Sequence, residues 1–369
     1  MRIKQFVVLL GLFCGCTHNG QGGGGGGGSG GATGSGSVPE LGSGSATLTV
    51  VGTTHDGLSV PRDLKFDPQH PEQLWVADEA LNGIVLFTNP GTAAQTAEVR
   101  VDFFARHFMD KVSAISFGAG NEFASCQESH DEWNDQPQQP DNYMGPTLWL
   151  ADLDIFAKVN QDYPGNGKEG SHIDMLHESP LCMGIAWDHD NVYWAFDGNA
   201  GNVVRYDFQT DHGPGGSDHS DGIVRRYTDV TVVRVPEVAS HMALDHATGM
   251  LYVADTGNSR LMQLDTATGT NTGALPPPAE ILAEYSKVEG AKWTQVAGGF
   301  SAPSGVALKD GRIFVSDYAT GDIQALTPAG ELLGTLATGH AGITGLTFAP
   351  DGKLWFADAK GQVIVRVDP

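Results

Sequence analysis

The sequence predicts an all-β fold: a six-bladed β-propeller of four-stranded antiparallel blades, with its ring closed by an N-terminal strand. Three observations lead there. An apolar run ending in Asp and followed by a Gly- or Asn-bearing turn recurs at Leu74–Asp78, Val192–Asp197, Leu251–Asp255, Ile313–Asp317 and Leu354–Asp358. Self-similarity at a period of several tens of residues marks a repeat architecture. The intervening runs are short, rich in β-branched and aromatic residues, and broken by Gly, Pro, Asn and Asp, as antiparallel strands require. The last unit stops one strand short, while a spare strand, Ala46–Val51, precedes the first.

Taken from the start of the chain, Met1–Cys16 resembles a bacterial lipoprotein signal. Arg2 and Lys4 precede an apolar stretch, Phe6–Phe13, that is too short to span a bilayer, and Phe13-Cys14-Gly15-Cys16 is similar to a lipobox. The resemblance implies lipidation at Cys16; the alternative is an ordinary secretory signal cut nearby. Residues 17–45, dominated by Gly and Ser after Gly20, bury too little apolar surface to offset ordering and are expected to form a flexible tether. Thr17 after Cys16 is not the Asp associated with inner-membrane retention, so the expected location is the cell envelope, lipid-anchored to the outer membrane on its periplasmic or outer surface.

Residues 46–369 form the propeller. Blade one starts at Arg62, blade two near Val112 and blade three near Met183. Blades four, five and six start near His241, Ser304 and Thr344. In blade five the grammar is complete: Ser304–Leu308, a turn at Lys309-Asp310-Gly311, Arg312–Asp317, then Asp322–Leu326 and Glu331–Leu336, which is the composition of a propeller blade. Leu148–Asp152 mimics the repeated phrase, but Phe123–Gln127 aligns better as the second strand of blade two. Glu128–Pro146 is then an insertion and Leu148 begins the third strand. Closing the last blade with Ala46–Val51 removes the exposed edge.

These repeats, typified by Tyr252–Arg260, resemble those of NHL-repeat six-bladed propellers over the whole of residues 46–369. That resemblance implies fold; the fold hosts lyases, lactonases and binding proteins alike.

In a propeller the inner-strand starts and the second-strand ends share one face. Asp78, Asp197, Asp255, Asp317 and Asp358 are therefore expected around one mouth of the channel, with Gln127 and Glu128 in blade two. Each Asp has two readings: a ligand contact, or a cap on backbone N–H groups of the neighbouring turn. Arg62 is the base expected inside this ring, either clamping a ligand carboxylate or paired with Asp78 or Asp358. Ser240–Leu244 is similar to a zinc-ligand segment of the peptidyl-hydroxyglycine amidating lyase. That resemblance makes His241 a metal candidate, with His177 and His130 as partners reaching the same mouth. Tyr143 and Trp133 on the insertion are expected to form an aromatic lid. Cys126 and Cys182 fall at the same face of adjacent blades, where a disulfide is expected; two buried free thiols are the alternative.

Asp211–Asp221, with Asp188-His189-Asp190 and Asp245-His246, is expected on the opposite face, either as a solvated loop or as a peripheral metal site. The formal net charge of −23 argues against nucleic acid and anionic membrane surfaces as partners, leaving the lipid as the membrane contact. Two functions follow from the mouth. One is a monomeric binding domain for a small-molecule or peptide ligand, using Arg62, Glu128, His177, His241, Asp197 and Asp255. The other is a metal-dependent lyase or hydrolase, like the amidating lyase or gluconolactonase-type propellers, with zinc or calcium at His241, His177 and His130. There Glu128, His130 and Arg62 are the catalytic candidates.

Overall fold

The structure, a computed structural model, describes residues 38–42, 46–133, 136–158, 169–216 and 218–369. The expected signal segment, Cys16 and most of the expected tether lie outside the described residues. Within the expected tether, 38–42 departs from the reading: Val38 and Leu41 pack into the core of blades five and six, and Glu40 pairs with Arg312 at 2.7 Å. The apolar pair and the ion pair anchor a segment whose glycine-rich context suggested none.

Strand β1 (Thr47–Gly52) precedes blade one, which consists of β2 (Pro61–Phe66), β3 (Gln73–Asp78), β4 (Gly83–Thr88) and β5 (Thr96–Arg100). A short helix, α1 (Ala105–Phe108), leads to blade two: β6 (Val112–Phe117), β7 (Glu122–Gln127), the inserted hairpin β8 (Glu132–Trp133) and β9 (Gln136–Pro137), then β10 (Thr147–Leu150) and β11 (His172–Met175). Blade three is β12 (Cys182–His189), β13 (Val192–Asp197), β14 (Asn202–Asp207) and β15 (Ile223–Thr231). Blade four is β16 (Met242–Asp245), β17 (Met250–Asp255), β18 (Arg260–Asp265), an inserted hairpin of β19 (Thr270–Ala274) and β20 (Glu284–Glu289), and β21 (Trp293–Gly298). Blade five is β22 (Pro303–Lys309), β23 (Arg312–Asp317), β24 (Asp322–Leu326) and β25 (Leu332–Ala337). Blade six is β26 (Ile343–Phe348), β27 (Leu354–Asp358) and β28 (Val363–Asp368), completed by β1.

The ring closes as the sequence indicates: β1 runs antiparallel to β28, from Thr47 opposite Asp368 to Gly52 opposite Ile364. In blade two, β10 pairs with β7 through Leu148 opposite Ala124, so the Leu148 run is the third strand and 128–146 the insertion. The hairpin β19–β20 was not legible. It belongs to blade four by sequence, yet β20 adds in parallel to the outer edge of blade three, with Ile223 opposite Glu284, extending that sheet to six strands. Covering β15 in this way removes one exposed edge.

Apolar side chains from neighbouring blades fill the seams. Trp75 of blade one, fully buried, meets Phe117, Phe123 and Phe156 of blade two with ring centroids 5.2–5.6 Å apart. The six inner strands crowd the axis. A Cβ at Gly184 would lie 2.1 Å from the Ser240 carbonyl oxygen, and one at Gly305 2.3 Å from that of Thr344, so glycine is required where adjacent inner strands touch.

Candidate functional site

Second strands end in Asp because unpaired N–H groups converge there, on the link arriving from the preceding blade or on the turn that follows the strand. Asp78 accepts from Ser59 N (2.7 Å) and Val60 N (3.0 Å), and Asp317 from Ser301 N (2.5 Å) and Ala302 N (3.1 Å). Asp255 accepts from Val233 N at 2.8 Å and from Arg260 Nε at 2.8 Å. Asp358 accepts from Gly361 N at 2.8 Å and contacts His340 Nδ1 at 2.9 Å. Asp197 takes Asn199 N and Ala200 N on one oxygen, each at 2.8 Å, and Arg226 Nη1 on the other at 2.5 Å. All five are buried. The ring is therefore a set of local caps, some joining a blade to the incoming link and others closing a blade's own turn, and Asp197 and Asp255, expected to touch ligand, spend their oxygens on the fold. Burial pushes the Asp78 carboxyl above its ordinary pKa, although the N–H groups of Ser59 and Val60 draw it back. In blade two Gln127 inverts the pattern: its amide donates to the Phe108 carbonyl and to Ser125 Oγ and Thr147 Oγ1, both at 3.0 Å.

Above these caps lies a cup of about 550 Å³ lined by Arg62, Glu79, Lys111, Glu237, Tyr318 and Lys360. Its floor is a charge network. Arg62 is 1 % exposed and bonds Glu79 Oε2 at 2.6 and 2.8 Å and Glu128 Oε2 at 3.4 Å. Glu128 also receives Arg234 Nη1 at 2.6 Å and the Glu237 N–H at 3.0 Å. Arg62 is thus an ion-paired floor residue, with Glu79 and Glu128 in place of the anticipated Asp78 or Asp358. Glu128 stands between two arginines, yet burial, assisted by the Glu79 carboxylate, lifts its pKa above the ordinary value. The rim is accessible: Lys111, Glu237 and Lys360 are exposed, and Lys360 Nζ sits 4.2 Å from the centre of the Tyr318 ring.

Below the floor, His241 and Asp63 plug the channel. His241 Nε2 lies 3.2 Å from the Ser113 carbonyl oxygen, and Nδ1 lies 3.5 Å from Asp63 Oδ1. Asp63 is held by Lys65 Nζ (2.6 Å) and the Ile115 N–H (3.0 Å). Burial lowers the His241 pKa, with Lys65 and Arg62 adding to the effect against the pull of Asp63. A second depression, about 330 Å³, opens on the opposite face beside Phe117, Trp187 and Phe348.

The three histidines expected to share a metal are not gathered. His241 is inside the channel, and His130 lies on the insertion with Asp141 Oδ2 at 2.9 Å. His177 is buried at the outer rim, where Tyr143 stacks on it at 3.6 Å between ring centres. Tyr143 is therefore a packing partner rather than a lid; the side chain of Trp133 lies outside the described residues. Cys126 and Cys182 form the disulfide, with Cα atoms 5.3 Å apart, joining the end of β7 to the start of β12.

The loop 211–221 departs furthest from expectation. It climbs along β11 of blade two: Gly215 N donates to the His172 carbonyl at 2.6 Å, and His219 Nδ1 lies 3.0 Å from Asp174 Oδ1. This brings His219 to His177, with ring centres 5.3 Å apart. The anticipated companions stay elsewhere, His189 against Asp188 at 2.9 Å and His246 against the Trp187 ring at 4.9 Å. Glu280, from the segment between β19 and β20, completes the group with its Oε2 2.7 Å from His177 Nδ1. The sequence carried no sign of this meeting, because the three residues come from three blades.

No protein-family model matches this chain, and no curated protein matches it in sequence. Solved structures match in fold. An auxiliary nutrient binding protein from Bacteroides thetaiotaomicron aligns over 88% of this chain and 76% of its own at 13% identity, with a TM-score of 0.57. One from Bacteroides ovatus covers the same shares at 10% identity and a TM-score of 0.56. Virginiamycin B lyase from Staphylococcus aureus is matched over 88% of this chain and all (100%) of its own, at 11% identity and a TM-score of 0.51. At such identities the likeness is one of fold: the chain is a six-bladed β-propeller of four-stranded antiparallel blades, closed by its own N-terminal strand.

Proposed function

We propose that this chain is an extracytoplasmic, lipid-anchored propeller that binds a small polar or peptide ligand in the cup above Arg62. The cup carries the reading. Its volume of about 550 Å³ falls within the range of small-ligand sites. Its floor charges are already paired, so a ligand need not break them, while Lys111, Lys360, Glu237 and Tyr318 leave both signs of charge and an aromatic edge at the rim. A zwitterionic ligand would set its carboxylate against the lysines and its ammonium against Glu237.

The disulfide supports a compartment outside the cytoplasm, and the signal-like segment supports the lipid anchor. Auxiliary nutrient binding proteins on the same fold offer a precedent for small-ligand binding. A metal-dependent lyase or hydrolase at this mouth would need His241, His177 and His130 to converge, and Glu128 free for proton transfer; their positions support neither requirement.

Titration calorimetry with free amino acids, di- and tripeptides, and mono- and disaccharides tests the proposal. The expected result is saturable binding within one of these classes, weakened about tenfold or more by Lys360→Glu and by Glu237→Lys. No binding to any of them, or binding indifferent to both substitutions, would overturn it.

A further inference from the structure

The rim between blades two and three holds a cluster that the cup does not use. His177 leaves the end of β11, His219 arrives on the loop 211–221, and Glu280 is delivered by the segment between β19 and β20. One ligand atom from each lies within 4.8 Å of the others. Ligands of a tetrahedral ion at about 2.1 Å stand about 3.4 Å apart, so closing on a metal requires an inward shift of about an ångström. We propose that His177, His219 and Glu280 bind a divalent transition-metal ion, zinc being the best match to two imidazoles and a carboxylate, which pins the blade-three loop and the blade-four insertion to blade two.

Three observations carry the proposal. The first is orientation. Asp174 Oδ1 lies 3.0 Å from His219 Nδ1, the carboxylate–histidine arrangement that fixes a tautomer and leaves Nε2 to ligate. The His177 ring is clamped by Tyr143 stacking at 3.6 Å, and its backbone N–H donates to Glu280 Oε1 at 2.8 Å. His219 and His177 are thus already held by Asp174 and Tyr143, which do not themselves ligate.

The second is an unmet valence. His177 is 2% exposed, and among the described residues its Nε2 has no hydrogen-bond partner, and neither has Asp174 Oδ2. Buried polar atoms in native proteins are nearly always satisfied.

The third is charge. Glu280 and Asp174 are both buried, and among the described residues neither is paired with Lys or Arg. Buried carboxylates without a cation are costly. A dication there would balance the two carboxylates. Asp174 also faces His212 and Asp221, whose ligand atoms form an adjoining group within 4.8 Å, so the loop is tied to the same carboxylate from both sides.

The test uses the full chain purified without a polyhistidine tag, stripped with chelator and dialysed against Zn²⁺. One equivalent of tightly held zinc is expected by elemental analysis. Affinity should fall about tenfold or more in His219→Ala, Glu280→Gln and Asp174→Asn, and stay unchanged in His246→Ala. Near-UV circular dichroism and an intact Cys126–Cys182 link establish that each variant is folded. Two wild-type measurements decide the matter should a variant fail to fold. Zinc should raise the melting temperature reversibly by chelation, and Co²⁺ should give the visible absorption of a tetrahedral site. A wild-type chain without stoichiometric zinc and without either response overturns the proposal, as does a folded His219→Ala that binds zinc as tightly as the wild type.

Discussion

Reducing the Cys126–Cys182 disulfide should cost this protein about 2–4 kcal/mol of stability. The bond joins residues 56 apart. The loop-closure relation for such a span gives an entropy of about −14 cal/mol/K in the unfolded chain, or about 4 kcal/mol at 25 °C. Residual structure in the unfolded chain lowers this, so the expected loss is about 2–4 kcal/mol. Both cysteines are fully buried among apolar neighbours of blades two and three, and reduction leaves their sulfur atoms in place. Comparing oxidised with reduced wild type in urea therefore isolates the crosslink from any cavity. Cys126→Ala/Cys182→Ala should lose somewhat more, because it also removes buried volume. Equilibrium unfolding monitored by tryptophan fluorescence and by far-ultraviolet circular dichroism reads both quantities. An oxidised-to-reduced difference below about 1 kcal/mol, with coincident transitions, would refute the argument that this bond acts by restraining the unfolded chain.

Two further outcomes follow from the same contacts. Arg226→Met should destabilise the protein by about 3–5 kcal/mol, because it leaves Asp197 buried without the cation that now lies 2.5 Å away; thermal melts of the single variant and of Arg226→Met/Asp197→Asn check this, the double variant recovering part of the loss because asparagine removes the charge and keeps an oxygen for the Asn199 and Ala200 N–H groups. Deleting residues 46–53 should abolish the cooperative melt and produce aggregates in size-exclusion chromatography, since it strips the partner from β28 and opens the apolar row Val363, Val365 and Val367; a monomeric deletion variant with a wild-type melt would contradict the closure argument.

The blades were legible because each is written locally. Period-two runs, turn residues and the terminal Asp recur within a few tens of residues, and the cap that Asp78 or Asp317 makes is a contact with the adjoining link. The spare strand at Ala46 and the short final blade likewise announced each other, since an unpaired strand and an unpaired edge are the same deficit seen from two ends. The disulfide could be read from strand position alone, because propeller geometry puts a second-strand end beside the next inner-strand start.

The roles of particular side chains were decided by tertiary structure. The sequence alone determined a ring of six antiparallel sheets, its closure, and the mouth where Arg62 and Glu128 meet, since repetition and strand order fix which ends share a face. It did not determine that Arg62 would be spent on Glu79 and Glu128, or that His241 would face Asp63 across the channel. Nor did it determine that the 211–221 loop would lie along blade two, bringing His219 to His177 and Glu280. Those meetings join residues far apart in the chain. They depend on how an irregular loop and an inserted hairpin pack against a neighbouring blade, for which no local periodicity exists.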